Sequence, residues 1–450
     1  MGAVSLRPTQ PMSASLAELY RDHLATLQQR CEAALARSNH DHLLIAAGVE
    51  KYQFLDDRPY PFAANPHFKA WLPLDRHPGC WLRITPGARP RLAYLQPDDY
   101  WHLPPSAPEG DWVEHFDIEV IRNPEEARCL LPARGRVAVI GEPDAALEGM
   151  VPDNPRVLLD HLHYHRAFKT PYEIACMRGA ALRAVRGHRA AEAAFRQGAS
   201  EHAIHLAYLA ASGQVEHDLP YGSIVALNEH AAVLHYQHQR VEPPPQRRSF
   251  LIDAGASHAG YAADITRTHA AQEGAFADLV RAVDEVEQAL CAQVREGVDY
   301  VAIHLDAHRR LGAVLQEAGL VRMSPESQLE TGLSAAFFPH GVGHLIGLQV
   351  HDIGGLQVDE EGRVRERPAG HPFLRLTRTL AAGMAVTIEP GIYFIPSLLR
   401  GLRQGAHAAA VDWDRVEALL PYGGIRIEDD VVCTAGDPLN LTREAFAAVA

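Results

Sequence analysis

The segment 249–268 has the sequence SFLIDAGASHAGYAADITRT, which holds two aspartates eleven residues apart, Asp253 and Asp264. Strand-forming residues precede the first aspartate and follow the second, with two glycines between them, so the segment predicts two short strands joined by a tight turn. If the turn is centred on 258–259, the aspartates face each other with Cβ atoms about 4.5–5.5 Å apart. Such like charges repel, which predicts a bound cation or a protonated carboxyl group. A surface hairpin with two solvated aspartates is the alternative.

The length and charge of the chain limit its class. A chain of 450 residues exceeds the usual size of one domain, so we expect at least two. Hydrophobic residues make up 47% and charged residues 22%, which is typical of a globular protein. The formal net charge of −14 argues against a nucleic-acid partner, because such binding needs clustered positive charge.

The cysteines and the N-terminus predict the compartment. The six cysteines are widely spaced and contain no C-x-x-C pair, which favours reduced thiols in a cytoplasmic protein over a disulfide framework or a zinc knuckle. Residues 1–16 lack the apolar core of a signal peptide. There is also no run of about 18 apolar residues that would span a membrane. We therefore expect a cytoplasmic protein without a membrane partner.

The first 160 or so residues alternate helical and strand patterns. Apolar residues recur at helical spacing over 16–35, and short apolar runs at 43–48 and 137–141 predict buried strands. This alternation predicts an α/β layer with a partly parallel, mixed sheet.

A second region follows a junction that we place within 161–169. The sequence thus predicts an N-terminal α/β domain over 1–165 and a C-terminal domain over 166–450. Helical patterns in the second domain cover 172–195, 202–212, 276–294 and 300–318.

The segment 338–352, FPHGVGHLIGLQVHD, holds three histidines, His340, His344 and His351. The first two have the H-x-x-x-H spacing of a zinc-binding helix. Glycine at 341 and 343 disfavours a helix, however, and Gly341 takes the place where that motif needs a glutamate. We predict an extended, glycine-rich segment that presents separate imidazoles. The alternative is three incidental histidines.

Two carboxylates lie in later apolar strands. Glu389 ends the strand of VTIEPGIY, and its burial without a partner would cost several kcal/mol, which favours a ligand role over a solvated strand end. In GGIRIEDDVV, successive side chains of a strand would point to opposite faces, so Arg426 and Glu428 would share one face. A surface ion pair is the alternative there.

The five carboxylate and histidine positions follow a known order. Asp, Asp, His, Glu and Glu at 253, 264, 344, 389 and 428 resemble the ligand signature of the pita-bread metallopeptidases, which include methionine aminopeptidase, aminopeptidase P and prolidase. Further segments resemble bacterial prolidases, notably those studied as organophosphorus acid anhydrolases, and together cover nearly the whole chain. They include NEHAAVLHY (228–236), QFLDD (53–57), NPHFKAW (65–71), IEPGIYF and GGIRIED.

The resemblance implies an N-terminal α/β domain, a pita-bread catalytic domain and a site for two divalent ions, most often Mn²⁺, with Zn²⁺ or Co²⁺ possible. Asp253 would bind one ion, and His344 and Glu389 the other. Asp264 and Glu428 would bridge the two.

The resemblance also implies roles around the ions. Glu389 would carry the proton, and His235 and His351 would stabilise the oxyanion. His340 and Arg426 would hold the terminal carboxylate of the substrate. Two further residues would line the pocket, Tyr221 and Asp57, the latter across a dimer interface. Proline as leaving group needs a smooth apolar slot, for which Phe338, Ile392 and Leu398 are candidate walls. A place in the plain core is the alternative for each of the three, and the favoured one.

The implied activity is that of an Xaa-Pro dipeptidase, which hydrolyses imidodipeptides through a hydroxide held between two ions. A homodimer and a side activity on organophosphate triesters are also implied. An aminopeptidase P, which would share every ligand, is the first alternative. A peptide-binding pseudoenzyme is the second, although such proteins lose ligands that are all present here.

Overall fold

The computed structural model describes residues 15–449. The stretch on which the prediction about a signal peptide rests, 1–16, lies almost wholly outside that range. Within the described residues, no helix is long and apolar enough to cross a membrane.

The N-terminal region is a mixed sheet covered by helices. The sheet has the strand order β4-β3-β2-β1-β5, in which β1 pairs parallel with β5, β3 pairs parallel with β4, and the other pairs are antiparallel. The predicted partly parallel sheet is therefore confirmed. The elements are α1 (Leu16–Ser38), β1 (His42–Ala46), α2 (Pro66–Lys69), β2 (Trp81–Ile84), β3 (Arg91–Leu95), β4 (Asp117–Ile121), β5 (Val137–Ile140) and α3 (Arg156–Arg166).

The local sequence explains where α1 begins and ends. The Ser15 side chain accepts from the backbone N–H of Glu18, and the Glu18 carboxylate accepts in return from the Ser15 backbone, which is a capping box. The helix ends at Asn39, whose φ of 60° is left-handed. It packs against α3 and against α4 (Pro171–Arg196), so the two regions share one apolar core. The boundary that we place at 165 stays a prediction.

The C-terminal region surrounds short antiparallel strands with helices. Its main core lies between α6, α7 and the strands from β11 to β14. After α4 the elements are α5 (Glu201–Ser212), β6 (Ile224–Leu227), β7 (Ser249–Asp253), β8 (Ser257–His258), β9 (Tyr261–Ala262), β10 (Thr266–Ala270), α6 (Ala275–Cys291), α7 (Tyr300–Glu317), α8 (Pro325–Glu330), β11 (Ala385–Ile388), β12 (Gly391–Tyr393), α9 (Pro396–Gln404), α10 (Trp413–Leu419), β13 (Gly424–Arg426), β14 (Asp429–Val432), β15 (Leu439–Asn440) and α11 (Leu441–Ala448).

The hairpin that contains the two aspartates forms, but the predicted register is wrong. Asp253 pairs with Thr266, whereas Asp264 precedes β10 by two residues. The turn is centred on Ala259 and Gly260, which both have positive φ, one residue later than expected. A shift of the turn centre by one residue moves the strand register by two, so the aspartates are not cross-strand partners.

Three small sheets meet at one edge of this hairpin. Their strand orders are β10-β7-β6, β11-β14-β15 and β12-β13. The backbone N–H of Glu428 donates to the Thr266 carbonyl over 3.0 Å. This bond joins the sheet β10-β7-β6 to the chain between β13 and β14. This junction brings residues from distant parts of the chain to one place.

Candidate metal centre and cavity

A cavity of about 460 Å³ opens at this junction and contains all five residues predicted to bind metal. Its walls come from β7, the hairpin, the glycine-rich segment before 352 and the ends of β11 and β13. The lining residues are Leu234, His235, Asp253, Asp264, Pro339, His340, Gly341, Gly343, His344, His351, Arg367, Pro372, Phe373, Arg375, Glu389, Arg426 and Glu428.

Three of the five side chains form a compact buried cluster. Asp264, His344 and Glu428 each offer one ligand atom, and these atoms lie within 4.8 Å of one another. His344 Nε2 lies 3.5 Å from Asp264 Oδ2 and 3.9 Å from Glu389 Oε1. The structure therefore brings together residues that are up to 164 positions apart in the chain.

The backbone around His344 fixes the direction of its ring. No helix forms there, as expected, because the segment runs extended against β11. A Cβ on Gly343 would lie 2.1 Å from the Thr387 carbonyl oxygen, so only glycine allows this approach. His344 Nδ1 lies 3.0 Å from the Leu345 carbonyl and must donate to it. Nε2 then presents its lone pair to the carboxylates, as a metal ligand requires.

Arg426 holds Asp253 in place. Arg426 Nη2 donates to Asp253 Oδ2 over 2.5 Å, and its Nη1 lies 2.8 Å from the Tyr393 hydroxyl. Within residues 15–449 the other carboxylate oxygen, Asp253 Oδ1, is buried and has no hydrogen-bond partner. An orphaned, buried carboxylate oxygen that lines the cavity fits a metal ligand.

The protonation of the acidic groups shows how unfavourable the site is without a cation. Burial raises the pKa of Glu389 to about 7 and the pKa of Glu428 well above its usual range, and repulsion from the other carboxylates adds to both shifts. Burial opposes ionisation of Asp264 too, but the hydrogen bond and charge of His344 outweigh it and lower the pKa of Asp264. A carboxylate-rich set with one imidazole fits divalent cations such as Mn²⁺, Zn²⁺ and Co²⁺.

The other predicted histidines line the cavity at different depths. His351 packs edge-on against His344 with ring centroids 4.5 Å apart, and both His351 and His235 are exposed at the cavity surface. His340 Nε2 lies 2.8 Å from the Tyr393 hydroxyl. Burial lowers the pKa of His340 to about 3 and that of His351 to about 4, so both rings are neutral near neutral pH.

Tyr221 lies in a different place from the prediction, whereas the role of Asp57 across a dimer interface stays a prediction. Tyr221 does not line the cavity but lies behind Asp264, to which it donates over 2.6 Å. Asp57 is in an exposed loop of the N-terminal region, and within one chain it is not among the cavity residues.

The candidate apolar walls are wrong. Phe338 and Ile392 are buried in the main core, and Leu398 is on the outer side of α9 with 37% of its surface exposed. None of the three is among the residues that line the cavity. The apolar side chains of the lining are instead Leu234, Pro339, Pro372 and Phe373.

The segment 363–378 is the part of the site that the sequence did not reveal. Its sequence RVRERPAGHPFLRLTR has no ligand spacing and no regular period, only an excess of arginine and proline. It contributes Arg367, Pro372, Phe373 and Arg375 to the cavity.

The chain also matches families of known proteins. Residues 18–164 match the family described as "Xaa-Pro dipeptidase, N-terminal domain", and residues 175–435 match metallopeptidase family M24. The chain is 59% identical over 432 residues to the Xaa-Pro dipeptidase of Stenotrophomonas maltophilia strain K279a, with 96% of this chain and 98% of the relative covered. It is 58% identical over 435 residues to that of Xanthomonas euvesicatoria, with 96% and 99% covered.

Solved structures with the same fold share much less sequence. Aminopeptidase P from Escherichia coli with the inhibitor Pro-Leu aligns with a TM-score of 0.69 at 22% identity, over 97% of this chain and 98% of that chain. Aminopeptidase PepP from Pseudomonas aeruginosa aligns with a TM-score of 0.66 at 23% identity, over 95% and 98%. The predicted order of an α/β domain and a catalytic metallopeptidase domain is thus confirmed. The chain belongs to metallopeptidase family M24 and, within it, to the family of bacterial Xaa-Pro dipeptidases.

Proposed function

We propose that the protein is an Xaa-Pro dipeptidase that hydrolyses dipeptides with a C-terminal proline. The observation that carries this proposal is the buried cluster of Asp264, His344 and Glu428 on the wall of a cavity, in a chain 58–59% identical to Xaa-Pro dipeptidases over nearly its full length. The structural neighbours are aminopeptidases P, but at 22–23% identity they support the fold alone.

The five clustered residues would hold two divalent ions, most often Mn²⁺: Asp253, Asp264, His344, Glu389 and Glu428. Divalent ions held by these residues would supply a water of lowered pKa and a polarised substrate carbonyl. Glu389 would accept a proton from that water and return it to the leaving nitrogen, because its carboxylate lines the cavity beside His344. The rings of His351 and His235 would donate to the developing oxyanion.

For the substrate carboxylate, the geometry favours Arg375 over the predicted Arg426. The Arg426 guanidinium is buried and already donates to Asp253 and to the Tyr393 hydroxyl, so its role is to position Asp253. Arg375 is exposed at the cavity, and no carboxylate among the described residues forms an ion pair with it. A guanidinium matches a carboxylate with two parallel hydrogen bonds.

A substrate comparison tests the dipeptidase assignment. With Mn²⁺ added, Leu-Pro should be cleaved with a higher kcat/KM than a tripeptide that begins with the same two residues. Preference for the tripeptide would show an aminopeptidase P instead. Glu389→Ala should lose the activity and keep substrate binding, and an unchanged rate would refute the proton-carrying role.

Arg375→Ala tests the carboxylate contact. Loss of a charge-assisted hydrogen bond worth about 1.5–3 kcal/mol should lower kcat/KM for the dipeptide by roughly 10- to 100-fold. Arg363→Ala is the matched control, because Arg363 lies in the same segment but pairs with Asp359 away from the cavity. Equal effects of the two variants would indicate that Arg426 and His340 bind the substrate carboxylate, as first predicted.

We infer a weaker hydrolysis of organophosphate triesters at the same site, because a water activated for attack on a carbonyl also attacks phosphorus. A triester with a nitrophenol leaving group should be hydrolysed by the Mn²⁺-loaded protein. Glu389→Ala should lose this reaction together with dipeptide cleavage, and retention in the variant would place the reaction elsewhere.

We also infer a homodimer. Phe54 and Leu55 are about nine-tenths exposed in the loop that carries Asp57. Other large apolar side chains are exposed in the same region, namely Tyr52, Tyr60, Tyr100, Trp101 and Leu103. Exposed apolar surface of this kind favours an interface, which would let Asp57 reach the partner's cavity. Light scattering should give a dimer mass that Leu55→Asp lowers, and a monomeric wild type would refute the inference.

The cysteines support the prediction of a cytoplasmic protein. All six lie in the described range and are free, five of them buried. Such thiols suit a reducing compartment. Cell fractionation, in which the protein should follow cytoplasmic markers, tests this prediction.

A further inference from the structure

Three histidines outside the catalytic cavity form a compact group. His304 and His308 lie four residues apart on α7 and therefore share one helix face, and His371 approaches them from the segment 363–378. The three ring centroids are 4.7–4.8 Å from one another. One ring nitrogen of each lies within 4.8 Å of the other two.

The two helix histidines are buried with unused nitrogens. Each is 1% exposed, and in the part of the chain that the structure describes His304 Nδ1 and His308 Nε2 have no hydrogen-bond partner. His308 Nδ1 lies 2.9 Å from the Ser334 hydroxyl, which orients the ring. For His308, this second-sphere partner on one nitrogen and the free nitrogen opposite are the usual arrangement of a metal-binding histidine.

The spacing of the rings suits a tetrahedral cation. His304 Nε2 and His371 Nδ1 are 2.9 Å apart. In a tetrahedral zinc site with Zn–N bonds of about 2.0–2.1 Å, neighbouring nitrogens are about 3.3–3.4 Å apart. If the two rings moved apart by a few tenths of an ångström, their nitrogens would have the separation of neighbouring zinc ligands.

We propose that His304, His308 and His371 form a separate metal site that takes Zn²⁺ or another imidazole-preferring cation such as Cu²⁺ or Ni²⁺. The ligands are all imidazoles, whereas the catalytic cluster is rich in carboxylates, so Mn²⁺ is disfavoured at the histidine site. Three protein ligands leave the fourth position for water.

The location of the site gives the ion a consequence for the cavity. His371 directly precedes Pro372 and Phe373, which line the cavity wall. On the other side, the Phe338 ring packs against both His308 and His340, with centroids 4.8 Å away in each case. A bound ion would thus tie the cavity rim to α7.

A second histidine pair in the chain provides a matched control. His161 and His165 also lie four residues apart on one helix, and Glu360 completes their cluster. Here, however, Arg37 Nη1 lies 3.1 Å from the Glu360 carboxylate. This cluster already has a fixed cation, which repels a metal ion.

The test counts zinc. Purified full-length protein is saturated with Zn²⁺, dialysed and analysed for metal per chain. His371→Ala should bind one ion fewer than the wild type, His371→Cys should retain that ion because thiolate also binds zinc, and His165→Ala should match the wild type. Equal counts in the wild type and His371→Ala, or a loss in His165→Ala, would overturn the proposal.

A thermal measurement provides a readout that is independent of metal counting. Zn²⁺ should raise the Tm of the wild type beyond the effect of Mn²⁺, since a ligand that binds only the folded state stabilises it. The additional rise should be absent in His371→Ala. The same rise in both proteins would refute the site, whatever the catalytic activity.

Discussion

Glu428 and Asp429 are neighbours in the chain, yet they have opposite surroundings. Both are almost fully buried. Asp429 accepts from the guanidinium groups of Arg267 and Arg443, each over 2.6 Å. Glu428 accepts from the hydroxyl of Thr266 over 2.7 Å and otherwise faces Asp264 and other acidic groups.

The difference appears in their protonation. Burial opposes ionisation of Asp429, but Arg267 and Arg443 outweigh it and lower the pKa of Asp429 to about 2. Burial and the neighbouring carboxylates instead raise the pKa of Glu428 well above its usual range. The charge of Asp429 is neutralised by arginines of the protein itself, whereas the charge of Glu428 needs a bound cation.

Glu428→Gln should have the largest effect on function. Removal of even an outer partner of a metal ligand costs about 10- to 100-fold in metal affinity or activity, so loss of a ligand should exceed about 100-fold. Activity with Mn²⁺ and bound metal per chain should fall together while the Tm of the metal-free protein holds or rises. A variant with wild-type metal content would contradict the ligand role.

Asp429→Asn should show the reverse pattern. It removes the buried carboxylate that Arg267 and Arg443 share, and breaking a buried ion pair costs about 3–5 kcal/mol. Urea unfolding should record this loss, while metal content per folded chain stays near that of the wild type. If metal is lost without destabilisation, the division between the two sides of the strand is wrong.

Tyr221→Phe should have an intermediate effect. It removes the donor to Asp264 without altering the shape of the side chain. We expect a loss of about 10- to 100-fold in metal affinity, measured by titration. Tyr236→Phe is the control, because that hydroxyl donates to Glu201 away from the cavity. Equal affinities of the two variants would remove Tyr221 from the site.

The pH dependence of the metal-free protein should reflect the titration of Glu389. The folded-state pKa of Glu389, about 7, lies above its ordinary value of 4.5. The folded protein therefore holds an extra proton between these values, so its free energy of unfolding should fall as pH rises through this window. The effect is about 1.4 kcal/mol for each unit of pKa shift. Urea unfolding in EDTA should show a weaker slope for Glu389→Gln; an unchanged slope would assign the titration to another group.

The sequence predicted the convergence of the cluster but not its internal geometry. The order of Asp264, His344 and Glu428 was informative because each residue ends or interrupts an apolar segment. The register of the hairpin was not, since Ala259 adopts a left-handed conformation that its own side chain does not favour. An error of one residue at the turn was enough to misplace Asp264.

Contacts between charged groups also could not be predicted from the sequence. Nothing in the alternation of β13 indicates that Arg426 is committed to Asp253, because the two are 173 residues apart. Arg375 and His371 lie in a segment without regular period, so only the fold places one at the cavity and the other beside α7. Local sequence patterns specify strands and helices, whereas such long-range partners depend on how these elements pack in the tertiary structure.

The arginines around Asp429 have a consequence for how the protein is supplied with metal. Because Arg267 and Arg443 stabilise their side of the strand without any ion, we expect the fold to persist when the catalytic ions leave. Ions could then enter or depart from a standing structure, and no refolding would be needed. The catalytic rate in the cell would then follow the concentration of free metal as fast as ions exchange. This response would precede any change in protein synthesis.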